Sequence, residues 1–259
     1  VNSQYGHLYV TGRGHGECYA IDMVDYSVEF NLPEGGTPSA IYHEKLFAYN
    51  NRFYLGLNEG FVKGYDINGD LKFLATTTSA RIPGCMEVVD DTYLIVAEED
   101  VAGTGSYLNL YFLVSGSKWL DYKLSDNSNV VGFVPEGNGK VLVFLNDSTQ
   151  GRILRYNTTT NTISEPVILP PGMLYDVTGI SGSAAMMVHE NGLIQYNGGS
   201  SVVLFKSGIF RHIAYDSSTN RIIAGNIWNL YIYNYPDGTP LFMKPLSEAL
   251  ADILLIYNK

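Results

Sequence analysis

The sequence predicts an all-β protein built from repeated four-stranded units, and three observations support this prediction. Its 259 residues include 27 Gly and 20 Tyr but only 16% charged residues, a composition typical of strands and turns. A strand–turn–strand phrase recurs along the chain. Each copy follows a second hairpin, so that every unit contains four short antiparallel strands, which we name a, b, c and d in chain order.

The recurring phrase is the c-to-d hairpin of each unit, in which a strand ends in Asp or Asn and a turn leads to the next strand. Five copies align on that polar residue, with spacings of 44, 91, 40 and 37 residues. The spacing of 91 residues equals two periods, and its missing member is the segment 111–124, where Ser115 and Gly116 supply the turn. The sequence therefore contains six copies. The five aligned residues are Asp22, Asp66, Asn157, Asn197 and Asn234.

The a-to-b hairpins join two apolar runs through short polar turns. Asn and Asp in such turns tolerate the left-handed backbone or hydrogen-bond to their own chain, as a tight hairpin requires. Each apolar run is therefore predicted to be one strand. The segments are LFAYNNRFYLGL, MEVVDDTYLIVA, VVGFVPEGNGKVLVFL, DVTGISGSAAMMVH and HIAYDSSTNRIIAG.

The repeated units are expected to pack around a central axis, because a twisted four-stranded sheet cannot bury both faces alone. Six units give about 43 residues each, whereas seven would leave about 37 and the sequence offers no seventh pair of hairpins. We therefore predict a six-bladed β-propeller of four-stranded antiparallel blades, in one domain over residues 1–259. Strand a, nearest the axis, should be small and apolar, as in VVGFV, DVTGI and DILLI.

The two ends of the chain are predicted to complete one blade together. HLYVTG, ECYAID and SVEFNL supply strands b, c and d, and the C-terminal ADILLIY supplies strand a. Pairing of the C-terminal strand with the N-terminal strands would close the ring and hide two sheet edges. Helix is predicted only at residues 245–252, with Ser247 as its cap.

Charge and hydropathy exclude some classes of partner. The chain has 26 acidic and 16 basic residues, a net charge of −10, which argues against sequence-independent binding to nucleic acid or to an anionic membrane. No run of 18 apolar residues predicts a transmembrane segment. The chain opens at Val1 without a signal-peptide pattern, so we expect a processed protein or an excised domain, which is monomeric.

The two cysteines do not reveal the compartment. Cys18 and Cys85 form at most one disulfide, and a domain of this size does not need it. We expect both to be small buried residues, since unpaired cysteine is among the most buried residue types.

Motifs for catalysis or metal binding are absent from the sequence or are better explained as turns. DINGD at 66–70 resembles the start of a calcium loop, but Leu71 and Thr77 stand where such a loop needs Gly and Glu. GRGHGE at 12–17 is glycine-rich, but a strand follows it instead of a helix, so a b-to-c turn is predicted. The sequence contains no GxSxG, HExxH or paired CxxC. No catalytic residue, metal ligand or cofactor is predicted, and Ca²⁺ stays open as a ligand.

The acidic run Glu98, Glu99 and Asp100 is predicted to form a solvated rim. Two carboxylates at 5–10 Å could do glycosidic acid–base work. Adjacent residues of a strand point to opposite faces, however, so Glu98 and Glu99 cannot both face the axis.

The candidate ligand-binding residues lie on the b-to-c turns and the d-to-a connections, which converge on one face of a propeller. Their amide, acidic and aromatic side chains suit sugar hydroxyls or a cation, while the competing interpretation is that turns are polar everywhere. The candidates are Arg13, His15, Glu17, Asn58, Glu59, Glu98, Asn146, Tyr175, His189, Arg211, Asn226 and Trp228.

With these repeats the chain resembles the six-bladed β-propellers, although it lacks the YWTD and WD signatures and the kelch double glycine. Its acidic composition, poor in Lys and rich in Tyr, Asn, Thr and Gly, resembles propeller domains of Bacteroidetes cell-surface lipoproteins. The resemblance implies an extracytoplasmic, cell-surface location and a non-catalytic binding or scaffold domain for a glycan or protein partner. The alternative is a metal-dependent hydrolase or lyase acting on a sugar or lactone at the axis. The ligands of calcium-dependent lactonases cannot be matched to residues here, so none is carried over.

Overall fold

The computed structural model describes ten segments of the chain, and every regular element in them is a β-strand. No helix occurs within those segments, and the helix predicted from residue 245 lies almost wholly outside them. The described segments are 7–11, 17–22, 28–33, 45–49, 52–57, 60–66, 68–77, 81–100, 105–124 and 128–246.

The chain divides into two compact units, residues 1–127 with 256–259 and residues 128–255. Unit 1 contains a three-stranded sheet of β1–β3 and four-stranded sheets of β4–β7 and β8–β11, each strand antiparallel to the one before it. The strands are β1 (His7–Thr11), β2 (Glu17–Asp22), β3 (Val28–Pro33), β4 (Lys45–Tyr49), β5 (Arg52–Leu57), β6 (Phe61–Asp66), β7 (Leu71–Thr76), β8 (Arg81–Val89), β9 (Tyr93–Asp100), β10 (Ser106–Phe112) and β11 (Lys118–Lys123).

Unit 2 contains three four-stranded sheets, β12–β15, β16–β19 and β20–β23, with the same consecutive antiparallel order. The first strands of neighbouring sheets contact each other, β12 with β16 and β16 with β20. The strands are β12 (Asn129–Gly137), β13 (Lys140–Asn146), β14 (Gln150–Asn157), β15 (Thr162–Pro171), β16 (Leu174–Ser181), β17 (Ala184–His189), β18 (Gly192–Asn197), β19 (Val202–Ser207), β20 (His212–Asp216), β21 (Arg221–Gly225), β22 (Asn229–Asn234) and β23 (Pro240–Pro245).

The hairpin turns contain the predicted polar residues in the left-handed conformation. Asp90, Asn138 and Asn220 join first and second strands with φ of 48°, 55° and 56°. In the 66–70 turn, the Asp66 carboxylate accepts the backbone N–H groups of Asn68 and Asp70 at 2.9 and 3.0 Å. This segment is therefore the predicted turn.

Alternate residues of a strand pack on different neighbours, so that each central sheet contributes to two cores. In β17, Met187 packs with Phe144 and Leu142 of the preceding sheet. Met186 and Val188 of the same strand pack with residues of β20–β23. Sheets in unit 2 therefore stack face to face, as the repeat predicts. In unit 1 a core of the same kind joins sheets β4–β7 and β8–β11.

Three sequence predictions about individual residues are corrected by the structure. Glu98 does not lie on a solvated rim: it is inside β9 and fully buried, next to Tyr111 of β10 and Arg81 of β8. Cys85 in β8 is only partly buried, while the side chain of Cys18 lies outside the described part of the chain. β16 is not uniformly apolar, since its Asp176 carboxylate accepts the Ile213 N–H at 2.9 Å and ties β16 to β20.

The predicted ring closure involves residues 250–259, which lie outside the described residues. The N-terminal part of that prediction concerns β1, β2 and β3, which form the expected three-stranded antiparallel sheet.

Candidate functional site

The candidate surface of unit 2 is the end of its sheets that carries the turns between second and third strands and the connections between sheets. We call this end the loop face of unit 2. It comprises the turns 147–149, 190–191 and 226–228 and the connections 172–173 and 208–211. Six of the twelve predicted candidates belong to unit 2, where they lie on this face or at the strand ends beside it. Those in unit 2 are Asn146, Tyr175, His189, Arg211, Asn226 and Trp228.

Two of the predicted ligand-binding residues, Asn146 and His189, form hydrogen bonds within the fold. The Asn146 side-chain amide donates to the Leu174 carbonyl at 2.9 Å and accepts the Leu174 N–H at 2.8 Å, which ties the end of β13 to the start of β16. His189 is 1% exposed and accepts the Asn191 N–H on Nδ1 at 3.1 Å. Its Nε2 therefore carries the proton and donates to the Pro170 carbonyl at 3.2 Å. Neither side chain presents a free polar group to a ligand.

Asn226 fixes the shape of its own turn. Its side-chain oxygen accepts the N–H groups of Trp228 at 2.9 Å and Asn229 at 2.8 Å, which is an Asx turn. Asp147 does the same in the first turn, accepting the N–H groups of Thr149 and Gln150. The Thr149 N–H is the main reason that the pKa of Asp147 lies below its usual value. The Asn226 and Asp147 side chains thus stabilise the turns that contain them.

Large apolar side chains are exposed on the loop face of unit 2, beside the partly buried Arg211. The guanidinium carbon of Arg211 lies 3.9 Å from the ring centroid of Tyr175. The Arg211 backbone N–H donates to the Gly225 carbonyl at 2.7 Å, which places it beside the 226–228 turn. We call the following set the Arg211 surface, with exposed fractions where they are large: Tyr175 (38%), Ile209 (74%), Arg211, Ile227 (47%) and Trp228 (57%).

Ile209 and Ile227 were missed by the sequence analysis. The signal for both is an isoleucine inside a turn or connection, in SGIFR and NIWN, where polar residues are usual. An apolar residue in a short turn or connection is too far from the core to be buried there, so the sequence could have predicted its exposure.

In unit 1, Glu98 is the buried end of an ionic cluster that extends through Arg81 to the exposed Asp121. The Tyr111 hydroxyl donates to one carboxylate oxygen of Glu98. A guanidinium nitrogen of Arg81 lies 3.8 Å from the other Glu98 oxygen and 2.9 Å from the carboxylate of Asp121. The guanidinium carbon of Arg81 lies over the ring of Tyr107, 3.2 Å from its centroid. Burial raises the pKa of Glu98 above its usual value, although the Tyr111 hydrogen bond and nearby cations oppose that effect.

The neighbouring strand β10 carries Asn109, which is fully buried. Both polar atoms of its amide and the second carboxylate oxygen of Glu98 have no hydrogen-bond partner among the described residues. Strand register places Asn109 opposite Val96, diagonal to Glu98 on the same face. Such orphaned buried groups are normally satisfied by internal water.

The structure does not describe the side chains of the remaining five candidates. Arg13, His15, Asn58 and Glu59 lie outside the described residues, and Glu17 opens β2 with its side chain outside them. Within the described segments no three His, Cys, Asp or Glu side chains are grouped so as to hold a metal ion. None of these segments forms a helix with the length and hydropathy needed to cross a bilayer.

Comparison with known proteins shows the fold. No protein-family model matches the chain, and no curated protein sequence matches it. The crystal structure of BamB from Moraxella catarrhalis is similar over 99% of this chain and 78% of its own, with a TM-score of 0.60 and 12% identity. The structure of the Dos1 propeller is similar over 94% and 68%, with a TM-score of 0.68 and 11% identity.

Chaetomium thermophilum Raptor is also similar over 94% of this chain, with a TM-score of 0.74 and 10% identity, although the chain spans only 24% of Raptor. BamB and the Dos1 propeller are β-propeller proteins, and this chain therefore has a β-propeller fold. At these identities the likeness extends to the fold and carries no function.

Proposed function

We propose that this chain is a binding or scaffold β-propeller domain that presents its loop face to a macromolecular partner and performs no catalysis itself. The proposal includes six blades, one for each sheet, and a ring closed by pairing of the C-terminal segment with β1. A monomeric domain in an extracytoplasmic, cell-surface location is part of the same proposal. A rigid ring suits this role because its loops vary without disturbing the core.

The observation that carries the proposal is the contrast within the loop face of unit 2. The polar side chains of Asn146, His189 and Asn226 are engaged in hydrogen bonds within the fold. Trp228 and Ile209 are exposed by 57% and 74%. Aromatic and aliphatic side chains that are held out on rigid turns favour contact with a partner surface.

Among the partners expected from the sequence, this contrast favours a protein over a glycan. Recognition of sugar hydroxyls needs unpaired donors and acceptors. On this face the side chains of Asn146, His189 and Asn226 already form hydrogen bonds within the fold. The hydrolase or lyase alternative has no supporting observation within the described segments.

The test presents the purified chain to a glycan array and to a displayed library of random short peptides. The variants are Trp228→Ala and, as a matched control, Val114→Ala. Val114 is 94% exposed and apolar, but lies in the c-to-d hairpin turn between β10 and β11. We expect peptide binders that Trp228→Ala loses and Val114→Ala keeps. Peptides whose binding is unchanged by both substitutions would overturn the proposal. The absence of any binder from the glycan array and the peptide library would overturn it as well.

A further inference from the structure

We propose that the partner is a protein segment that places a carboxylate on Arg211 and large apolar side chains against Trp228, Ile227 and Ile209. This inference rests on the proposed function and names the chemistry that the loop face of unit 2 recognises. It is argued from the state of the arginine, from its surroundings and from the geometry of the stacked pair.

Within the described segments Arg211 is a cation without a carboxylate partner, although the chain is rich in carboxylates. The chain has 26 acidic and 16 basic residues. Two other guanidinium groups of the molecule are paired: Arg81 with Asp121 at 2.9 Å, and Arg155 with Glu136 at 2.5 and 2.8 Å. Among the described residues Arg211 has only the ring of Tyr175, with no carboxylate partner. Its side-chain N–H donors are therefore available to an anion.

Stacking fixes the position of that guanidinium. A planar guanidinium lying on an aromatic ring keeps its in-plane N–H groups free while losing little further freedom on binding. Those N–H groups form a fork that matches the two oxygens of a carboxylate. The backbone bond from Arg211 to the Gly225 carbonyl adds a second restraint at 2.7 Å. Arg211 is therefore pre-organised to bind one carboxylate.

The residues around Arg211 indicate a protein segment as the source of the carboxylate. Trp, Tyr and Arg dominate the energetically important positions of protein interfaces. Ile209 and Ile227 add aliphatic area, which packs against apolar side chains but offers a sugar neither a ring to stack on nor a hydrogen bond. A glutamate or aspartate beside a large apolar residue meets both parts of the Arg211 surface at once.

The experiment uses peptides selected on the whole chain from the displayed library. Each selected peptide is synthesised with its carboxylate and with the matching amide, Glu to Gln or Asp to Asn, and both forms are titrated by calorimetry. We expect the amide form to bind the wild-type chain about fivefold to tenfold more weakly, as for a charge-assisted bidentate pair. Affinity for the carboxylate form should also fall as salt is added.

Three variants separate the role of Arg211 from general effects of charge. Arg211→Gln should bind both peptide forms alike, and Arg211→Lys should recover only part of the preference because it keeps the charge but not the fork. Arg221→Gln is the matched control, since Arg221 is exposed at the far hairpin end of β21, and it should keep the full preference. Near-ultraviolet circular dichroism checks that each variant folds.

The outcomes distinguish this inference from the function on which it rests. If the selected peptides lack acidic residues, or if Arg211→Gln keeps the carboxylate preference, the inference is wrong while a loop-face binding function still stands. If binding does not depend on Trp228, the proposed function fails as well. Binding to the glycan array alone would replace the protein partner with a sugar and so overturn the inference.

Discussion

Glu87 provides a quantitative test of burial in unit 1. It lies in β8, and its carboxylate accepts the N–H of the next residue, Val88, at 2.9 Å. Burial raises the pKa of Glu87 from 4.5 to about 7, and the Val88 hydrogen bond only partly opposes this effect. The folded protein thus holds a proton on Glu87 in a pH range where the unfolded chain has released it.

The sign of the resulting pH dependence follows from the raised pKa. Between pH 4.5 and 7 the folded state binds more protons than the unfolded state, so the free energy of unfolding falls as the pH rises through this window. A shift from 4.5 to about 7 corresponds to about 3 kcal/mol. This is an upper bound, because the side chain keeps some exposure to solvent.

The perturbation is Glu87→Gln, which keeps the shape of the protonated side chain and cannot ionise. We expect the variant and the wild type to be equally stable near pH 4.5, and the variant to be more stable by up to about 3 kcal/mol at about pH 8. The assay is urea unfolding at a series of pH values, followed by tryptophan fluorescence. Glu99→Gln is the control, because Glu99 is exposed on β9. A Glu87→Gln stability difference that stays constant across this pH range would show that the carboxylate is hydrated in the folded protein.

Two further predictions concern buried amides. Asn146→Ala should lower the free energy of unfolding by about 2–3 kcal/mol, measured by urea unfolding, because both polar backbone groups of Leu174 lose their partner; an effect below about 0.5 kcal/mol would contradict the structural role. The orphaned amide of Asn109 should contact ordered internal water, visible in a high-resolution crystal structure and as water cross-peaks in nuclear magnetic resonance. A dry environment around this amide in both measurements would refute that expectation.

The strands and turns were predictable because their signals are local. Asp90, Asn138 and Asn220 adopt the left-handed conformation that their chemistry allows, and they do so in the predicted hairpins. The period-2 alternation of apolar residues likewise depends on neighbours along the strand alone. Local signals of this kind are sufficient to predict the sheets and the antiparallel order of their strands.

The roles of single polar residues were less predictable because they depend on a partner elsewhere in the fold. Glu98 follows the apolar run of β9 and precedes two more acids, so the sequence favours a strand end in solvent. In the fold Glu98 is fully buried, and it contacts Tyr111 of the next strand and Arg81 of the preceding one. Asn146 bonds Leu174, which is 28 residues away. The residues next to Glu98 and Asn146 in the sequence give no signal that predicts either contact.

Under the proposed function, polar and apolar residues on the loop face of unit 2 have different roles in binding. Asn226 has a side chain typical of sugar recognition, yet its oxygen is occupied by the N–H groups of Trp228 and Asn229. The effect of those bonds is to hold the turn that exposes Trp228. Because a surface fixed before contact loses little conformational entropy on association, the turn contributes to affinity without touching the partner. The same logic applies to Arg211, which Tyr175 holds in place. In the proposed function, the polar turn residues therefore set the geometry, and the exposed apolar residues together with Arg211 supply the contact.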